Sequence, residues 1–104
     1  MGFPGALATA AGTDGGIDVF GPGATGVIAA QVKFEAVPAG RPKLQELYGA
    51  GMAAGATLTA FFSSAGFTAQ AQGWADQVGM ALFEFALDGS IVPANEHGRR
   101  LFEA

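Results

Sequence analysis

The chain has 104 residues, half of them apolar and 13% charged, with a net charge of −4 and no cysteine. That is one domain's length and a composition that packs, which excludes a disordered chain, a disulfide framework and a thiolate metal centre. With only five Lys and Arg, the chain cannot hold a nucleic acid by bulk positive charge alone.

Taken from the N-terminus, Gly, Pro or a charged residue interrupts each apolar run before about 20 residues, so no membrane span is expected. Residues 1 to 12 lack the basic start of a secretory signal, which makes the cytoplasm the expected compartment. Gly2-Phe3-Pro4-Gly5 reads as a turn, and Ala6 to Ala10 as a short strand leading into a second strand, Asp14 to Val19. The Gly-rich stretch Gly21-Pro22-Gly23-Ala24-Thr25-Gly26 has turn residues and predicts a hairpin with the apolar run Val27 to Glu35. Alternation along that run places Val27, Ala29, Gln31, Lys33 and Glu35 on one face and Ile28, Ala30, Val32 and Phe34 on the other.

Ala36 to Gly40 reads as a loop, and Pro42 suits the first turn of a helix. Leu44, Leu47, Tyr48, Gly51 and Met52 recur at helical spacing, so the helix should run to about Ala54 and cover the sheet with that stripe. Thr57 to Phe62 has strand length and ends at Ser63-Ser64-Ala65-Gly66. Thr68 is the expected N-cap of a second helix that buries Ala71, Trp74, Ala75 and Val78 and stops at Gly79. Met80 to Leu87 predicts a last strand, Asp88-Gly89 a turn, and Asn95 to Phe102, with Arg99 and Arg100, a short helix. The whole chain, residues 1–104, is expected to form a single α/β domain with a mixed sheet flanked by helices.

Three polar residues stand out against this pattern. A lysine in so apolar a strand needs either a partner or an emerging strand end, and Lys33 beside Glu35 fits both. Asp18, at a strand end, suits a turn or cap as readily as chemistry. The glycine runs do not meet phosphate-loop or dinucleotide spacing. His97 is expected at the surface with no chemical partner, and Trp74 in the core. Ser63, Ser64 and Thr68 precede a helix N-terminus that favours phosphate, although ordinary capping accounts for them.

The blocks DGGIDV, QVKFE and GRPKLQELYG, in that order, resemble the Mrr-like branch of the PD-(D/E)XK nuclease superfamily, which has an Asp followed by Gln-x-Lys where other members carry an acid. The resemblance runs from about Gly2 to Phe85. It implies a restriction-endonuclease-like fold and a metal-dependent DNA endonuclease acting on foreign or modified DNA in defence. It further implies catalytic roles for Asp18, Gln31 and Lys33, with Mg²⁺, or Mn²⁺ in its place, held by Asp18, the Gln31 oxygen and the Val32 carbonyl. Asp14, Glu35 and Gln45 form a second tier: Asp14 also suits a turn, Glu35 also suits an ion pair with Lys33, and Gln45 matches a position that approaches the site in similar nucleases.

Against the family pattern, the chain reads as starting at about the end of the usual first helix. An apolar sheet face left uncovered would favour a homodimer or higher oligomer, or a partner chain that supplies DNA affinity. Two alternatives remain beside the endonuclease: an inactive structural or interaction module with the same fold, and a junction-resolving or repair nuclease.

Overall fold

The computed structural model describes residues 7–8, 19–23 and 26–103, in which six strands form one sheet in sequence order. The elements are β1 (Leu7–Ala8), β2 (Val19–Gly23), β3 (Gly26–Lys33), α1 (Arg41–Ala53), β4 (Leu58–Ser63), α2 (Ala69–Val78), β5 (Ala81–Phe85), β6 (Ile91–Pro93) and α3 (Glu96–Glu103). Strands β1, β2 and β3 are antiparallel neighbours. A helix then intervenes before each of the next two strands, so β4 runs parallel to β3 and β5 parallel to β4. Strand β6 returns antiparallel to β5.

The hairpin forms as expected, but its strands run further into the Gly-rich stretch than the turn residues suggest. Strand β2 continues through Pro22, opposite Val27, and Gly23 pairs with Gly26. Proline is tolerated there because β1 pairs only with Val19 and Phe20, leaving the far side of β2 at Pro22 without a ladder partner among the described residues. Gly26 has a φ of 145° and lies so close to Thr57 that a side chain would collide with its hydroxyl. The Thr57 hydroxyl accepts from the Val27 N–H at 2.9 Å, and the Thr57 N–H donates to the Val27 carbonyl at 2.7 Å, which sets the register of β4 on β3.

The two faces of the sheet follow the expected alternation. Ala29, Phe61 and Leu82 pack under α1 and α2 with Leu44, Leu47, Ala71 and Ala75. Ile28, Ala30, Ala60, Phe62, Ala81 and Phe83 form the opposite core, against which Leu101 of α3 packs. Both crossover helices lie on one face because successive right-handed connections step across the sheet in one direction. The central strands are therefore buried on both sides; among the described residues, large apolar side chains of the sheet stay exposed toward the end of β3, at Val32 and Phe34, and on β6, at Ile91 and Val92.

Helix α1 buries Leu44, Leu47 and Gly51 as the stripe predicts, but Met52 is 42% exposed. The helix makes its closest approach at Gly51, where a Cβ would lie 3.3 Å from that of Ala29, so the next residue turns away from the sheet. Tyr48 meets Trp74 of α2 edge-on, with ring centroids 5.5 Å apart. The Thr68 hydroxyl accepts from the Ala71 N–H at 3.1 Å, and α2 ends at Gly79, whose φ of 79° suits a left-handed C-cap.

The last expected strand is shorter than its apolar run. It ends at Phe85, and Leu87 is 87% exposed. Beyond the Asp88-Gly89 turn the chain pairs again as β6, a strand too short and proline-marked to register as one in the sequence. Asn95 then anchors the C-terminal region. Its side-chain oxygen accepts from the N–H groups of Leu82 (3.0 Å) and Gly98 (2.8 Å), while its amide nitrogen donates to Met80 O (2.9 Å) and Asp76 Oδ1 (3.1 Å). One side chain thus caps α3 and ties it to β5 and α2.

Two glycines should respond in opposite directions. A Cβ at Gly98 would strike the Leu82 carbonyl, whereas nothing lies within 4 Å of one at Gly49, in the middle of α1. Gly98→Ala should cost about 1–3 kcal/mol through overpacking. Gly49→Ala should add roughly 0.5–1 kcal/mol through helix propensity. Thermal melts of the two variants check both signs.

Candidate active site

Parallel strands joined by crossover helices bring their carboxyl ends to one rim, the usual ligand position in such sheets. Here the register aligns Lys33 with Ser63 and Ser63 with Glu84, so β3, β4 and β5 end in one polar row. One repeat earlier the row is Gln31, Phe61 and Leu82. Ala29, Phe61 and Leu82 fix this as the face under α1 and α2, and side chains two residues apart in a strand share a face. Gln31 and Lys33 therefore stand side by side, about 6.7 Å apart along β3.

Their environments differ in a way that matters chemically. Gln31 is only 2% exposed, and its Oε1 has no hydrogen-bond partner. Leaving such an acceptor buried and unsatisfied costs about 1–3 kcal/mol. Lys33 is half-buried and makes no ion pair among the described residues. A bare acceptor beside an unneutralised cation suits a ligand that brings both a positive centre and an anion.

The rim is held by the β4–α2 loop. The Ser64 N–H donates to the Lys33 carbonyl at 3.1 Å, and the Ser64 hydroxyl accepts from Glu35 N–H (2.8 Å) and donates to Glu35 O (2.9 Å), which extends the pairing past the end of β3. The Ser63 hydroxyl donates to the Gly66 carbonyl at 2.8 Å. Ala39 N–H also donates to Gly66 O (2.9 Å), and Thr68 N–H donates to Ala39 O (3.0 Å). Ser63, Ser64 and Thr68 are thus occupied in loop and cap bonds, in line with the capping role rather than a phosphate site.

Of the other residues singled out in the sequence, Asp14 and Asp18 lie outside the described residues. The carbonyls of Val27 and Lys33 accept from the N–H groups of Thr57 and Ser64, which flank β4, so strand alternation turns the Val32 carbonyl toward the β2 side. Glu35 is half-buried, and its expected ion pair with Lys33 is not formed. Gln45 is exposed on α1. His97 is half-buried, with its Nε2 at 3.3 Å from the Asp76 carbonyl in an exposed contact. No group of three His, Cys, Asp or Glu that could hold a metal occurs among the described residues, so Gln31 Oε1 would need an acid from elsewhere in the chain. Glu84 stands in the same row as Lys33 and, like it, is a lone charge in an apolar strand.

The basic residues divide into two sets. Glu96 binds Arg99 at 2.7 Å and Arg100 at 3.6 Å, and the hydrogen bond from Arg99 holds the Glu96 carboxyl below its usual range. Arg41 and Lys43 are exposed at the start of α1, on the rim side where the chain leaves β3, and neither makes an ion pair among the described residues. With Lys33 they make up three of the chain's five basic residues.

A family model described as restriction endonuclease, the Mrr catalytic domain, matches residues 1–86. No curated protein matches the chain. Among solved structures, the crystal structure of a protein of unknown function, AF1548, superposes with a TM-score of 0.57 at 23% identity. The superposition covers 65% of this chain and 40% of that one, and it bears on the fold alone.

The orphaned amide can be tested without any ligand. Gln31→Met keeps the volume and removes the unsatisfied oxygen, so in chelator-treated buffer it should raise stability by about 1–3 kcal/mol. Chemical denaturation of parent and variant measures the difference, and a destabilised variant would mean that the amide oxygen is satisfied in solution.

Proposed function

The chain belongs to the restriction endonuclease family, in its Mrr catalytic branch, and from that premise we propose that it hydrolyses DNA phosphodiester bonds with the help of a divalent cation, Mg²⁺ or Mn²⁺. The observation that carries this reading is the buried, partnerless Gln31 Oε1 beside the half-buried, unpaired Lys33. Oxygen donors are what a hard divalent cation takes, and an amide oxygen with no other bond is free to serve.

Asp18 would supply the charged ligand. Asp18 itself lies outside the described residues; in sequence it directly precedes Val19, whose strand partner Ala30 directly precedes Gln31. The Val32 carbonyl, turned toward the β2 side, would offer a third oxygen. The cation, when bound, draws charge from the scissile phosphate and lowers the pKa of an attacking water. Lys33 would place its ammonium against a non-bridging phosphate oxygen, where it stabilises the charge that grows as the water attacks. Arg41 and Lys43 would hold the flanking backbone. With so few cations the duplex is gripped over a short length, which favours a second copy or a partner chain in the working assembly. Defence against foreign or modified DNA is the role this chemistry would serve, with junction resolution or repair as a neighbouring use.

The inert-module alternative draws on the near-complete burial of Gln31, which requires the chain to open locally before a cation can reach the amide. Two measurements separate the readings. Supercoiled plasmid with Mg²⁺ should be nicked by the parent, and Lys33→Ala should lower the rate by about 10²–10³-fold, the usual loss of a charge-stabilising group. Saturating Mg²⁺ should also raise the melting temperature of the parent by mass action but not that of Gln31→Met. Neither cleavage nor a metal-dependent rise would establish the inert module, and cleavage confined to branched DNA would establish junction resolution.

A further inference from the structure

Phenylalanine rings gather on the sheet face opposite α1 and α2. Those of Phe62 and Phe83 stack with centroids 4.7 Å apart and planes 12° from parallel, and Phe102 of α3 lies 6.1 Å from Phe83. Phe85 packs against the same cluster and meets the ring of Phe34 at 6.1 Å. Phe62 and Phe83 are buried, whereas Phe34, just past the carboxyl end of β3, is 65% exposed. Val32, Ile91 and Phe102 on the same face are exposed as well.

Phe34 is exposed on a fixed backbone. The Lys33 carbonyl before it accepts from the Ser64 N–H at 3.1 Å, and the Ser64 hydroxyl holds both the N–H and the carbonyl of Glu35 after it. With Phe85 behind the ring, an apolar surface is presented to water in one defined place, and such surfaces mark binding sites. The preceding residue is Lys33, a half-buried cation with no ion pair among the described residues. An apolar protein partner that covered Phe34 would strip water from that charge without neutralising it. A nucleotide brings a flat π-face and an anion in one unit, so it matches the ring and the ammonium together.

Successive residues face opposite sides of a strand, so DNA that meets both Lys33 and Phe34 crosses the rim, phosphate on one side and base on the other. A base held in a continuous duplex cannot turn onto a ring in this way; it must first leave the stack. The shortage of cations points in the same direction. Duplex affinity rests on phosphate neutralisation, which five Lys and Arg supply poorly, whereas aromatic stacking adds affinity for unpaired strands without further charge.

We propose that Phe34, backed by Phe85, is a stacking platform for an unpaired base, and that the DNA this chain cuts carries unpaired nucleotides where it crosses the rim. The second half of this inference rests on the nuclease reading, and the platform itself does not.

The test is binding by the full chain in chelator-treated buffer at one fixed salt concentration, read by fluorescence anisotropy. A 12-nucleotide oligodeoxythymidine should bind more tightly than a 12-base-pair duplex. Phe34→Ala should weaken the single strand about tenfold and the duplex less than twofold. Phe34→Leu, which keeps an apolar side chain but no ring, should lose nearly as much, and Phe34→Trp should lose nothing. A 2-aminopurine base in the single strand should be quenched by the parent and by Phe34→Trp but not by Phe34→Leu. Single-strand binding unchanged in Phe34→Ala, or weakened no more than duplex binding, would overturn the proposal and leave the nuclease reading to the plasmid assay. So would sedimentation in which Phe34→Ala dissociates a dimer without altering single-strand affinity, since the rings would then be an interface between copies. Ring-dependent binding by a chain that cuts neither paired nor unpaired DNA with Mg²⁺ would uphold the platform and overturn the nuclease reading instead.

Discussion

The two parallel ladders, β3 with β4 and β4 with β5, are the constraint on which the rest of this molecule depends. A parallel pair demands a crossover, and the crossovers here are α1 and α2, both on one face. Parallel order also brings three carboxyl ends to one rim, so residues as far apart in sequence as Lys33, Ser63 and Glu84 become neighbours in a row. The loops that leave this rim are tied to one another rather than left free, with Ser64 clasping the backbone of Glu35 and Gly66 held by Ser63 and Ala39. A rim of this kind positions side chains with little freedom, which is what a reacting group requires.

Stability and chemistry pull against each other at Gln31. Its surroundings obey the packing rules: the two core clusters are apolar, and the side-chain oxygen of Asn95, a half-buried amide, is satisfied by two backbone N–H groups. The Gln31 oxygen alone among the buried side-chain polar atoms described has no partner. Breaches of local rules of this kind concentrate at functional sites. The negative net charge is less of an obstacle because Glu96 pairs with the two arginines of α3, while Lys33, Arg41 and Lys43 make no ion pair among the described residues.

Much of this was legible along the chain. The alternation of Val27 to Phe34, the stripe of Leu44, Leu47 and Gly51, and the cap pair Thr68 and Gly79 are local signals, each set by the period of its own element, and the structure keeps them. The oddity of Gln31 and Lys33 in an apolar strand was also visible, as was the family resemblance of the blocks that contain them, later met by the restriction endonuclease family model. The local signals failed at edges. Proline at Pro22 argued for a turn where an open strand side tolerates it, Leu87 extended an apolar run past the last ladder partner, and β6 was too short to declare itself.

The sequence by itself determined the three helices, most of the strands, the alternation of faces along β3 and which polar residues are out of keeping with their strands, because those properties repeat over a few residues. Tertiary structure alone decided that Glu84 shares a row with Lys33, that Ser63 and Ser64 serve the loop, that Met52 turns outward where Gly51 meets the sheet, and that the Gln31 oxygen is left without a partner. Register between parallel strands is fixed by the length and packing of the helix that joins them, and hydrogen-bond satisfaction by every neighbour at once, so neither can be read from a stretch of chain.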